Sequence, residues 1–155
     1  MKIDQMIPRG FFKRRYDVVA GGSPLATLRT HESRSEFVLG GTTYGIQREP
    51  GWGDFVISSD EGEIGRATKH SALTSTFTVT FDDTEYTLVS PGLKSSFELR
   101  TGEATVGAVR AGGFWAIRGE VDLPDELSTA RQLFVLWLVA IMWVRAEETA
   151  AVSTV

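Results

Sequence analysis

Apolar residues recur along this chain in a repeated two-strand pattern. Four segments share one spacing: an aromatic, an aliphatic at +2, turn formers near +5 to +7, and apolar residues at +9 and +12. They are Tyr16, Val18, Leu25, Leu28; Phe55, Ile57, Ile64, Ala67; Phe77, Val79, Tyr86, Val89; and Phe97, Leu99, Val106, Val109. The intervening Gly21-Gly22-Ser23, Asp60-Glu61-Gly62, Asp82-Asp83-Thr84 and Gly102-Glu103-Ala104 suit turns. Glycine accepts positive φ there, and Asp or Ser side chains bond the local backbone. Each unit predicts a β-hairpin, and recurrence of the offsets in four units is stronger evidence than any one hairpin. Offsets +9 and +12 differ in parity, so a regular strand would point them to opposite faces. Either a bulge intervenes or the second strand is apolar on both sides.

Further strands fill the gaps. Phe37-Val38-Leu39, Gly40-Gly41 and Thr43 to Gln47 predict a shorter hairpin, and Phe114 to Val121 a late strand. The texture then changes. Pro124-Asp125-Glu126 suits a helix start, and Leu133 to Val144 contains no polar residue. A helix apolar all round is buried in protein or lipid. This run of twelve residues spans about 18 Å as a helix, whereas a bilayer core needs about 20 residues. Arg131 and Arg145 bracket it closely. A core helix is therefore favoured over a membrane anchor, with Trp137, Met142 and Trp143 filling the bore of a sheet wrapped around it. A filled bore argues against a lipocalin-like carrier.

The fold expected is mainly β: a closed antiparallel barrel of about 11–12 short strands around a buried apolar C-terminal α-helix. One domain covers 1–155, with a basic arm over 1–15, strands over about 15–121, the helix over about 125–147 and a frayed tail at 148–155.

Hairpins such as FVISSDEGEIGR (Phe55 to Arg66) and FELRTGEATVGAV (Phe97 to Val109), followed by the apolar helix Leu133 to Val144, resemble the tubby C-terminal-like superfamily. Within it the chain looks most like the LURP-one-related proteins, themselves similar to phospholipid scramblases. The resemblance covers roughly residues 11–147 and implies a twelve-stranded barrel around a central helix. Tubby proteins bind phosphoinositides through basic side chains on the barrel. This chain has no position-by-position match to that site. It also has no cysteine, so the palmitoylated cluster of scramblase-like members does not carry over.

Composition narrows the function classes. The 155 residues are 42% apolar and 23% charged, with net charge −4 and pI near 5.2. That balance argues against nucleic acid as a main partner. The charge is uneven: Lys2, Arg9, Lys13, Arg14 and Arg15 against Asp4 give residues 1–15 five minus one, or +4, leaving −8 for the rest. The lack of cysteine removes thiol nucleophiles, disulfides and zinc ribbons. Met1 to Arg15 has no apolar signal core, so the expected location is cytoplasmic, with peripheral membrane association.

No constellation for catalysis or metal binding is legible, and neither cofactor nor metal is expected. His31 and His70, the two histidines, both stand at +15 of a hairpin unit, which suits a repeated structural position. Two histidines without cysteine make a poor zinc site. The acidic turns Asp60 to Glu63 and Asp82 to Glu85 lack EF-hand spacing. No G-x-S-x-G elbow occurs, and the glycines from Gly102 to Gly113 precede no helix that could cradle phosphate. Trp52, between Gly51 and Gly53, either plugs a barrel end or anchors a partner or membrane interface.

The strongest candidate is Phe11-Phe12-Lys13-Arg14-Arg15, with Arg9 nearby. Cations beside aromatics suit an anionic lipid surface, each contributing about 1 kcal/mol near such a membrane. The expectation is a non-enzymatic binding module. Lys13, Arg14, Arg15 and Arg9 would contact anionic phospholipid or an acidic protein, with Phe12 or Trp52 as aromatic anchor. The alternative is a protein-interaction or scaffold domain without a lipid role.

Overall fold

The computed structural model describes residues 3–9, 15–31, 34–49, 54–70, 76–90, 96–111 and 117–153, with the side chains of 8, 9, 31, 111, 117–120 and 143–153 outside the description. The strands are β1 Gln5–Arg9, β2 Arg15–Ala20, β3 Ser23–His31, β4 Arg34–Leu39, β5 Thr42–Arg48 and β6 Phe55–Ser59. They continue as β7 Gly62–Lys69, β8 Phe77–Phe81, β9 Thr84–Val89, β10 Ser96–Thr101, β11 Ala104–Ala111 and β12 Ile117–Asp122, before α1 Thr129–Ser153. Each strand pairs antiparallel with its sequence neighbour, and β1 returns to β12 to close the barrel. The seam rests on one residue pair among the described residues, Met6 with Ile117.

The parity conflict in the repeat is settled by bulges. In three hairpins the register slips by one residue, and the extra residue is the one at +9. Val18 faces Ala26 while Val19 faces Pro24, leaving Leu25 unpaired. Ile57 faces Gly65 while Ser58 faces Glu63, leaving Ile64. Leu99 faces Gly107 while Arg100 faces Thr105, leaving Val106. The bulge restores phase, so Leu28, Ala67 and Val109 at +12 lie opposite Tyr16, Phe55 and Phe97 and point inward with them. The hairpin of β8 and β9 has no bulge. There Phe77 faces Leu88 and Val79 faces Tyr86, and Val89 falls on the outer side, half-buried. Its two-residue turn brings Asp82 to φ 53°, a conformation that aspartate tolerates better than most residues.

Position +10 of the bulged units faces inward and is small: Ala26, Gly65 or Gly107. Crowding gives the reason. A Cβ on Gly65 would stand 2.5 and 2.6 Å from ring atoms of Phe81, and one on Gly107 2.8 Å from the Asp122 carbonyl oxygen.

The barrel encloses α1. Leu133 through Ala140 are eight consecutive buried residues, which at 3.6 residues per turn occupy every direction around the helix. The inward residues of the strands, among them Tyr16, Val18, Phe37, Ile46, Phe55, Phe77, Leu88 and Phe97, form one core with them. Trp137 packs edge-on against Phe55 with centroids 5.0 Å apart, and Phe134 likewise against Phe81 at 6.1 Å. Trp137 and Met142 do fill the bore, while the side chain of Trp143 lies outside the description.

Polar pins set the rotation and depth of the helix. Trp137 Nε1 donates to Ser35 Oγ at 3.0 Å, and Ser35 meets the Thr30 hydroxyl at 2.8 Å. Gln132 Oε1 accepts from the Ile3 backbone N–H at 3.4 Å, and its Nε2 donates to the Leu127 carbonyl at 2.9 Å. Arg131 donates to the Ile64 carbonyl, pairs with Asp82 at 3.0 Å and lies 5.5 Å over the Phe81 ring. No side-chain nitrogen or oxygen that is buried among the described residues lacks a partner.

Three element bounds differ from the sequence reading, one being that α1 runs on to Ser153 through most of the tail expected at 148–155. Gln5–Arg9, placed there in the basic arm, forms β1. Ile3 and Met6 are buried, and the Asp4 carboxylate caps the β2–β3 turn by accepting from the Gly21 and Gly22 backbone. The helix begins at Thr129 rather than about 125. Ser128 is its N-cap, its hydroxyl accepting from Arg131 N at 3.4 Å. Pro124 to Leu127 form a separate turn closed by Leu127 N to the Pro124 carbonyl at 3.1 Å. Among the described residues no helix is long and apolar enough to cross a membrane.

Candidate functional site

The antiparallel meander sorts the connections into two ends. Tight turns at 21–22, 40–41, 60–61, 82–83 and 102–103 share one end with the entry of α1. The segments 10–14, 32–33, 49–54, 70–76, 90–95 and 112–116 join strands at the other. Asp60, Glu61, Asp82, Asp83 and Glu103 all occupy the turn end and are exposed. Arg9, Arg15, Arg29, Arg48 and Arg110 all stand within two residues of a strand terminus at the loop end. Asp17, Glu36, Glu49, Asp54 and Glu98 also lie toward the loop end, but the turn end is the more acidic of the two.

Strand register concentrates the basic residues further. Arg9 on β1 is the lateral partner of Arg15 on β2, and Arg15 is the partner of Arg29 on β3. Three arginine positions therefore form a row across adjacent strands. Arg15 and Arg29 are exposed, flanking the inward Tyr16 and Leu28. Like charges directly opposite one another destabilise a sheet, and the nearest carboxylate on β2, Asp17, stands one register step away and is engaged in an interaction of its own. Beyond Arg29 the row meets Glu36, but Arg34 holds that carboxylate at 2.8 Å.

Other arginines are neutralised. Arg66 grips Glu49 with two hydrogen bonds, at 2.8 and 3.1 Å, and Glu63 at 2.9 Å. Those bonds hold the Glu49 carboxyl below the usual carboxylate range and raise the guanidinium further. Arg100 pairs with Glu98, and Arg131 with Asp82. Among the described residues Arg15, Arg29, Arg48 and Arg110 form no ion pair; all four belong to the loop end.

Of the residues singled out in the sequence, Arg9 ends β1 and Arg15 begins β2. Lys13, Arg14, Phe11 and Phe12 belong to the segment between those strands and lie outside the described residues, as does Trp52. His31 closes β3. His70 is exposed and its Nε2 meets the Thr78 hydroxyl. Among the described residues it has no carboxylate partner. The acidic turns serve structure in part, through Asp82 with Arg131 and Glu63 with Arg66. Among the described residues no group of three or more His, Asp or Glu side chains could hold a metal. Arg29 is the basic residue that sequence reasoning missed. It stands fourteen positions from Arg15, and register alone brings them together.

The fold and this surface define a class: an antiparallel barrel threaded by its own C-terminal helix, with Arg15 and Arg29 side by side near one end and without an ion pair among the described residues. Compared with protein-family models, characterised proteins and solved structures, the chain has no match.

Proposed function

We propose that this barrel is a non-enzymatic binding module that docks its loop end on anionic phospholipid. The observation that carries the reading is the row Arg9, Arg15, Arg29, whose two described side chains are exposed and without ion pairs. Lys13 and Arg14 fall between the first two of these in sequence, so five cations belong to β1 to β3 and the segment that joins β1 to β2. A cation near an anionic membrane contributes about 1 kcal/mol, and the acids at the turn end orient the molecule with its basic end toward the surface. The twelve-strand barrel around a central helix is also the architecture implied by a tubby-like, LURP-one-related ancestry, which we include in the proposal. A cytoplasmic protein recruited to the inner leaflet fits both.

The test is co-sedimentation with vesicles containing acidic phospholipid, comparing the native chain with a Lys13→Ala, Arg14→Ala, Arg15→Ala variant. Loss of the bound fraction in the variant supports docking through this end. Equal binding by both proteins removes the basis for it and favours a scaffold domain that uses another face for protein partners.

A further inference from the structure

The outer face of β1, β2 and β3 carries more than charge. One register step below the arginine row lie Ile7, Asp17 and Thr27, mutual partners across the three strands. A step further, Val19 faces Gln5 on one side and Pro24 on the other, with the bulge residue Leu25 beside them. These steps are about 7 Å apart along the strands. Together Ile7, Asp17, Val19, Pro24, Leu25 and Thr27, with Ala26 between the last two, line an open groove of about 380 Å³, within the size range of small-molecule sites. The bulge helps to form it, because it takes Leu25 out of the ladder, and Pro24 has no backbone N–H to pair.

We infer that this groove holds one acyl chain of a phosphate-headed lipid, with the headgroup on the Arg15–Arg29 row. The chemistry is complementary at both ends. The arginines offer planar, multidentate donors suited to a phosphate. Ile7, Val19, Pro24 and the half-buried Leu25, which also packs on the core, offer apolar walls one to two register steps from the arginines. Asp17 stands between the two, half-buried and already engaged in an interaction of its own. Its negative charge confines an anionic headgroup to the arginine row. A free phosphate would leave the groove empty, and a neutral amphiphile would leave the arginines without a counter-charge. Docking would then be side-on, along β1 to β3, and not through the loop segments alone. The inference rests on the anionic-lipid reading above, keeps its Arg15–Arg29 pair and adds the groove.

The test titrates the full chain with dodecyl phosphate below its micelle concentration, with inorganic phosphate and dodecyl maltoside as comparators. Dodecyl phosphate is expected to bind at least about tenfold more tightly than either comparator. Arg29→Gln is expected to weaken it about fivefold, and Leu25→Ser to weaken it by a similar factor. Ile7→Ser serves as a second groove variant if Leu25→Ser does not fold. Inorganic phosphate binding as tightly as dodecyl phosphate overturns the groove, and dodecyl maltoside binding as tightly overturns the arginine row. No binding of dodecyl phosphate overturns the inference even if anionic vesicles bind. Vesicle binding that is unchanged in Arg29→Gln and Leu25→Ser overturns it too, while leaving peripheral docking in place. Dodecyl phosphate binding without vesicle binding supports the groove and removes the membrane reading.

Discussion

The hydrogen bond from Trp137 to Ser35 is expected to set the seating of the helix, and Ser35→Ala tests it. Ser35 is wholly buried and Trp137 is 7% exposed, so water cannot replace the lost hydroxyl at the indole N–H. An unsatisfied buried donor costs about 1–3 kcal/mol. Thr30, the other partner of Ser35, is half-buried and can turn its hydroxyl to solvent, so it adds little. For a chain of this size each kcal/mol lowers the melting temperature by about 2–4 °C. The expected shift is therefore roughly 2–12 °C, read by far-UV circular dichroism and by urea titration at unchanged m-value. Trp137→Phe removes the same donor and part of the ring that packs on Phe55. If the hydrogen bond is what is lost, the double variant is less destabilised than the sum of the singles, by about 0.5–3 kcal/mol. Additivity within about 0.5 kcal/mol would refute the pin and leave Trp137 as a packing residue only.

Gly65→Ala is expected to cost about 1–3 kcal/mol by overpacking, because Phe81 and Ile57 on either side are themselves buried. Adding Phe81→Leu should recover part of the loss in urea midpoint. Burial raises the Tyr16 and Tyr86 phenols above their ordinary value of 10.0, with Glu126 adding to the rise at Tyr86 and Arg131 opposing it. The folded chain therefore keeps these protons after the unfolded chain has lost them, so stability is full below pH 10 and falls as pH rises through the elevated values. Tyr16→Phe should flatten that alkaline limb in melting curves taken upward from neutral pH. Relief of the Arg15–Arg29 opposition by Arg29→Thr should raise stability by about 0.2–1 kcal/mol at low salt. The gain should disappear at high salt, while vesicle binding weakens.

Much of the architecture was legible because the repeat encodes it. Aromatic and aliphatic positions at +0 and +2 mark the inward face of the first strand in all four hairpins. The apolar residue at +12 marks its partner wherever a bulge restores the phase. The parity conflict between +9 and +12 was itself the signature of Leu25, Ile64 and Val106 as bulge residues. Sequence could not say which hairpin lacks a bulge, since Tyr86 occupies the same offset and pairs regularly with Val79. The first strand is hard to read in the sequence because Pro8 and Arg9 mask its alternation, although Met6 within it and Ile3 just before it are buried. The helix start was displaced because Pro124 and two acids resemble a first turn, whereas the hydroxyl that caps the helix belongs to Ser128.

The basic surface was legible only in part. Arg9 and Arg15 stand out as neighbours of Lys13 and Arg14, but Arg29 is inconspicuous in a strand of ordinary composition. Its place beside Arg15 follows from lateral pairing, which depends on the turn at Gly21-Gly22 and on the bulge at Leu25. Shifting that register by one residue would turn Arg29 inward and Leu28 outward. The groove below the row is likewise a product of register, since Ile7, Val19 and Leu25 come from three strands.

The central claim is that arginines without ion pairs at one end bring this barrel to anionic lipid. Its most direct test is the affinity of the native chain for vesicles with and without acidic phospholipid, titrated from low to high salt. The account predicts binding to acidic vesicles alone, with affinity falling steadily as salt screens the arginines. Equal binding to neutral and acidic vesicles, or affinity that does not change with salt, would contradict it.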